Sequence, residues 1–74
     1  MGKYMTKLDL HGVRHSDVDK LVEEFIYRNQ GEFPLEIICG NSAKMIQLVH
    51  AVAKRIGCET HMFRYGIIIV RRWL

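Results

Sequence analysis

The chain is poor in the residues that announce special classes of protein: it has two cysteines, one proline and one tryptophan, and no uninterrupted apolar run of bilayer length. Cys39 and Cys58 lack a Cys-x-x-Cys spacing and sit in apolar stretches, where a free cysteine behaves as a small hydrophobe. Both are therefore expected to be buried thiols, which excludes a disulfide framework. Residues 1–7 are polar and lack the apolar stretch of a signal peptide, so no membrane partner is expected and a cytoplasmic location is. Internal repeats, low-complexity segments and linkers are absent as well. Residues 1–74 thus read as one domain, expected to act as a monomer.

Seventy-four residues is near the lower limit at which a single hydrophobic core suffices without staples. That leaves little room for a site sunk in a deep cavity, and a shallow site is expected. With 49% hydrophobic and 26% charged residues the composition is that of an ordinary globular domain and not of a disordered tail.

The net charge is only +3, but it is unevenly spread. Residues 1–36 carry five basic and seven acidic side chains, while residues 37–74 carry six basic and one acidic. Lys44, Lys54, Arg55, Arg64, Arg71 and Arg72 could form a patch attractive to phosphates; a normally solvated surface is the plainer alternative.

Helical spacing of Val18, Leu21, Val22, Phe25 and Ile26 predicts an amphipathic helix from Ser16 to about Asn29, with Ser16 as N-cap and Asp17 and Asp19 complementing the helix dipole. Gly31 and Pro34 mark the exit and the loop. Leu35 to Cys39 is short and apolar enough for a strand, closed by Gly40. Asn41 or Ser42 can cap a second helix whose buried stripe is Met45, Ile46, Val49, Val52, Ala53 and Ile56, with Gly57 at its left-handed C-terminal cap. Two last strands, Glu59–Arg64 and Ile67–Trp73, are joined tightly at Tyr65-Gly66 as a hairpin. Ile67 to Val70 is apolar on both faces, as expected of a strand inside the sheet.

The predicted order is β-α-β-α-β-β, an α+β two-layer sandwich. Right-handed crossovers place both helices on one face of a four-stranded mixed sheet and leave the other face open.

The most informative stretch is Leu8-Asp9-Leu10-His11-Gly12. A strand alternates its side chains between two faces, so Leu8 and Leu10 can enter the core while Asp9 and His11 share the open face or its rim. An aspartate there can hold a divalent cation such as magnesium, or orient a histidine that moves protons near neutral pH. The alternative is structural: Asp9 bonds backbone amides at the strand end and His11 is a turn residue. His11-x-x-x-His15 also has a metal-like spacing, but no third close ligand accompanies it.

These features resemble the Smr domain family, found as a stand-alone domain and at the C-terminus of MutS-like proteins. Leu8-Asp9-Leu10-His11-Gly12 matches its LDLHG signature residue for residue. Ile37-Ile38-Cys39-Gly40-Asn41-Ser42 stands where the family has a strand ending in an HGxG or TGxG loop, and the predicted element order agrees across nearly the whole chain. Here Cys39 takes the place of the His or Thr, and Ser42 that of the second glycine. The resemblance implies a fold like the C-terminal domain of bacterial translation initiation factor three. It also implies binding to DNA or RNA, with nicking or cleavage in many relatives. In its terms Asp9 and His11 are the catalytic pair and the Gly40 loop binds backbone.

Around that pair, Gly40-Asn41-Ser42-Ala43-Lys44 opens a helix directly after a strand, where free amides, the helix dipole and Lys44 suit a phosphate; helix capping explains the same residues. Gly12, Arg14 and His15 follow the motif and could touch a nucleic-acid backbone or lie on a solvated loop. Arg64 and Tyr65 at the hairpin tip could present a cation and a ring to a groove or to unpaired bases. Arg71 is a candidate phosphate contact, whereas Trp73 is expected to cover the core edge.

Three functions are therefore expected, in order: a small endonuclease, a nucleic-acid-binding module without cleavage, and a protein-interaction domain. The last would be favoured by exposed Ile38 or Phe63.

Overall fold

A computed structural model describes residues 5–74; part of the N-terminal stretch read above as polar, residues 1–4, lies outside the described residues. The elements are β1 (Lys7–Asp9), α1 (His15–Arg28), a single 3₁₀ turn (Gln30–Glu32), β2 (Leu35–Ile38), α2 (Ala43–Ile56), β3 (Cys58–Arg64) and β4 (Ile67–Trp73). The sheet order is β1-β2-β4-β3, with β1 parallel to β2 and the other pairs antiparallel. β4, apolar on both faces, is an interior strand as its composition predicted.

Alternation along the strands decides which face is covered. Leu35 and Ile37 of β2 and Ile68 and Val70 of β4 are fully buried, while Glu36, Ile38, Ile67 and Ile69 between them are only partly so. Val18, Val22 and Ile26, four residues apart on α1, and Met45, Ile46, Val49, Val52 and Ala53 on α2 complete one core cluster with the buried strand residues. Both helices thus lie on one face of a two-layer α+β domain. Fully burying each large side chain contributes about 1.5–3 kcal/mol, and this single cluster holds the layers together.

Local boundaries depart from the sequence expectation in four places, one of them the end of β1 at Asp9, which leaves His11 in a turn. α1 begins at His15 with Arg14 at the cap position and no side-chain cap, so Ser16 is inside the first turn and does not cap. The cause is the preceding turn, closed by the Val13 N–H donating to the Leu10 carbonyl (3.0 Å), which leaves only Arg14 extended before the helix starts. β2 ends at Ile38 and not Cys39, although the Cys39 N–H still donates to the Gly66 carbonyl in the hairpin turn (2.7 Å). β3 starts one residue early, at Cys58. The remaining caps agree: the Ser42 hydroxyl accepts the Met45 N–H (3.1 Å), and Gly57 ends α2 at φ 92°.

Trp73 packs against the core edge, as expected. Its ring lies 5.5 Å from that of Tyr27 and 5.8 Å, edge to face, from that of Phe33, and its indole N–H donates to Gln30 Oε1 (3.2 Å). These contacts hold the 3₁₀ turn against the last strand.

Candidate nucleic-acid interface

Topology gathers most of the candidate residues at one end of the sheet. β1 and β2 are parallel, so the turns that follow them, at Gly12 and at Gly40, leave from the same end; β4 runs antiparallel to β2, so the β3–β4 turn at Tyr65-Gly66 arrives there too. Gly66 is buried against the Gly40 loop. A Cβ built on it would lie 3.1 Å from the Gly40 carbonyl carbon and closer still to its oxygen, and φ is +87°. Only glycine allows this approach.

The register lines up four side-chain positions in a lateral row on the open face: Arg64 opposite Ile67, Ile67 opposite Ile38, and Ile38 opposite Asp9. Strands lie about 4.8 Å apart, so Asp9 and Arg64, which pairs with Ile67 just past a register shift between Met62 and Arg64 that leaves Phe63 unpaired, end a row roughly 14 Å long. Between them Ile67 and Ile38 make a half-buried apolar floor. The next row is Lys7, Glu36, Ile69 and His61.

At the Asp9 end the strand-face expectation needs correction. Asp9 is the last residue of β1 and exposed, but His11 lies in the turn beyond it, not on the strand. Asp9 Oδ1 accepts the His11 N–H (2.9 Å), so one carboxylate oxygen braces the turn. Gly12, at φ 80°, occupies the third position of that turn, which a type II turn reserves for positive φ. Both side chains remain exposed, and no hydrogen bond joins them among the described residues.

Both helices also begin at this end. The Ser42 hydroxyl and carbonyl serve Met45 and Ile46, leaving the Ala43 and Lys44 amides without an intrahelical acceptor, beside exposed Asn41 and Lys44 and behind Gly40 at φ 71°. Arg14, exposed at the start of α1, adds a cation, and exposed His15 adds an imidazole and a further backbone amide. The positive ends of two helix dipoles thus meet His11, Arg14, His15, Lys44 and Arg64 on one rim, with Asp9 and the Asp17 of the first helical turn as its acids.

Arg71, Arg72 and Arg55 do not join them. Arg71 follows Val70, which pairs with Leu35 at the start of β2, and so lies toward the opposite end of the sheet. Arg72 Nε is bonded to Glu59 (2.6 Å), and Arg55 to Glu23 (3.1 Å) with Asp19 at 3.9 Å. The six basic residues of the second half therefore form no single patch, because the hairpin and α2 carry them to different ends. A shallow groove lined by Asp19, Lys20, Glu23, Tyr27, Arg28 and Arg55 lies on the helices, away from this rim.

Cys39 lies just behind the Gly40 loop, yet it is 4% exposed, and burial pushes its thiol up to about 11. A thiol held protonated in this way is a poor nucleophile near neutral pH. Cys58 is likewise buried, with its pKa raised by the same cause. His50, without an evident partner in the sequence, meets the Thr60 hydroxyl through Nδ1 (3.2 Å). Among the described residues no three His, Cys, Asp or Glu side chains converge, so no closed cage of the zinc type is built there. Magnesium asks for less: it keeps several waters and takes one or two carboxylates together with substrate phosphates, a part that Asp9 Oδ2 suits.

No helix among the described residues is long and apolar enough to cross a membrane. Compared with family models, with curated proteins and with solved structures, the chain finds no match.

Proposed function

We propose that this chain is a nucleic-acid-binding domain of the Smr kind that cleaves or nicks phosphodiester bonds in DNA or RNA at the rim formed by the ends of β1 and β2. The observation that carries the reading is the convergence at that rim of two helix N-termini, the Gly40 loop, Lys44, Arg14 and Arg64 with the exposed Asp9 and His11. Backbone amides and cations of this kind hold a phosphate. In this reading Gly40, Asn41, Ser42 and Lys44 hold the phosphate through backbone and ammonium groups, and Gly12, Arg14 and His15 flank it. His11 moves a proton to or from a phosphodiester oxygen, and Asp9 keeps the His11 turn in place through Oδ1. A divalent cation such as magnesium, held by Asp9 Oδ2 together with the substrate, would neutralise charge on the phosphate. Arg71 stands too far along β4 to share that phosphate and would contact a more distant one. The two thiols suit the reducing cytoplasm, where we place the domain as a monomer.

A second reading, binding without cleavage, is favoured by the hydrogen bond from the His11 N–H to Asp9, which gives the carboxylate a purely structural use. Cleavage of supercoiled DNA and structured RNA, with and without chelator, separates the two. For the nuclease, Asp9→Asn and His11→Ala abolish cutting and leave binding largely intact. Full cutting by both variants would refute the catalytic assignment.

A further inference from the structure

Phe63 and Tyr65 are 65% and 60% exposed, among the most exposed large apolar side chains of the described residues, and they flank Arg64 at the hairpin tip. The Arg64 guanidinium carbon lies 5.8 Å from the centre of the Phe63 ring, so cation and ring are already associated. Neither ring enters the core cluster. Gly66, pressed onto Gly40, locks the tip that carries them to the Gly40 loop, so the rings stand beside the cationic rim and not on a freely swinging arm.

We infer that Phe63 and Tyr65 are stacking platforms for unpaired bases, and that the ligand of the rim is single-stranded nucleic acid running from the hairpin tip toward Asp9; this rests on the phosphate-binding reading above. A duplex keeps its base faces stacked on one another and offers such rings only its edges, whereas a single strand exposes the face of every base. The roughly 14 Å from Arg64 to Asp9 corresponds to about four nucleotides at the 3.4 Å rise of a stacked strand, and to fewer when the bases are splayed. Arg64 would contact the backbone between two stacked bases, Ile67 and Ile38 give a floor without competing hydrogen bonds, and Lys44 with the Gly40 loop takes a phosphate further along.

The test is fluorescence anisotropy with the full chain and four labelled probes: an octathymidylate, an octauridylate, a wholly abasic octamer and a blunt duplex. The abasic probe carries the phosphates without the bases. Wild type should bind at least one of the single strands more tightly than the duplex or the abasic strand, and which one it prefers assigns DNA or RNA. Phe63→Ala and Tyr65→Ala should each weaken the preferred single strand by about tenfold. Both should leave the abasic strand unaffected, and Phe63→Trp should restore binding. Both rings are exposed, so an unchanged urea midpoint verifies that the variants fold. Equal binding of abasic and base-bearing strands, or variants that bind the preferred strand like wild type, would overturn the stacking role while leaving the phosphate site standing. Failure of wild type to bind any probe would overturn both.

Discussion

The contact between Gly66 and Gly40 makes a quantitative claim. Gly66→Ala incurs two penalties: a positive φ of 87° and a Cβ 3.1 Å from the Gly40 carbonyl carbon, with the oxygen nearer still. The first costs about 1–2 kcal/mol for a non-glycine residue, and overpacking against backbone adds about 1–3 kcal/mol. Gly57→Ala isolates the first, because Gly57 has φ +92° with nothing within 4 Å of the added atom. Gly31→Ala isolates neither: its φ is not positive and its surroundings are open, so that change should be neutral or stabilising by a few tenths of a kcal/mol. A domain of this size has roughly 4–11 kcal/mol of stability at ~0.05–0.15 kcal/mol per residue, so Gly57→Ala and Gly31→Ala should remain folded, and Gly66→Ala should remain folded except at the lowest end of that range. Urea unfolding followed by Trp73 fluorescence reads the series, with Gly66→Ala the most destabilised, Gly57→Ala lower than wild type by about 1 kcal/mol, and Gly31→Ala near wild type. A Gly66→Ala variant no less stable than Gly57→Ala would mean that the hairpin turn does not press on the Gly40 loop.

Ser42→Ala should cost about 1 kcal/mol through loss of the bond to the Met45 N–H, and Ser42→Gly only a few tenths, as urea midpoints would show. Burial holds the Cys39 thiol near 11, above its unfolded value, so the unfolded chain releases that proton first as pH rises. The associated stability is full below about pH 9 and is lost progressively toward pH 11, by about 2 kcal/mol; Cys58 acts in the same direction. The stability advantage of wild type over Cys39→Ala should therefore shrink between pH 8 and pH 10.5, and an advantage unchanged by pH would contradict it.

Much of this architecture was legible in the residues. Four-residue spacing in Val18, Val22 and Ile26, and the run from Ile67 to Val70, report burial directly, because one face or two must leave water. Caps such as Ser42 and Gly57 read equally well, since their chemistry is local. The cap at Ser16 did not, because the helix start was set by the Leu10–Val13 turn, which had to bring the chain back over the sheet in three residues. Nor did the dispersal of the basic residues: charge counted along the sequence carries no record that β4 returns between β2 and β3 and takes Arg71 away from Lys44. The same return brought the hairpin tip onto the Gly40 loop, a long-range contact whose sequence trace is the glycine at position 66. The alternation of Leu8 and Leu10 predicts a strand position for His11, but that alternation runs on past the end of β1 into the turn.

In the proposed function nucleic acid docks at one end of the sheet. Backbone amide chemical-shift mapping of the full chain, titrated with a short single-stranded oligonucleotide, tests it most directly. Shifts should concentrate at residues 11–15, 40–44 and 63–66, and diminish with added salt as counterion release requires. Shifts concentrated instead around residues 54–57 and 71–74, at the opposite end, or no shifts at all, would contradict it.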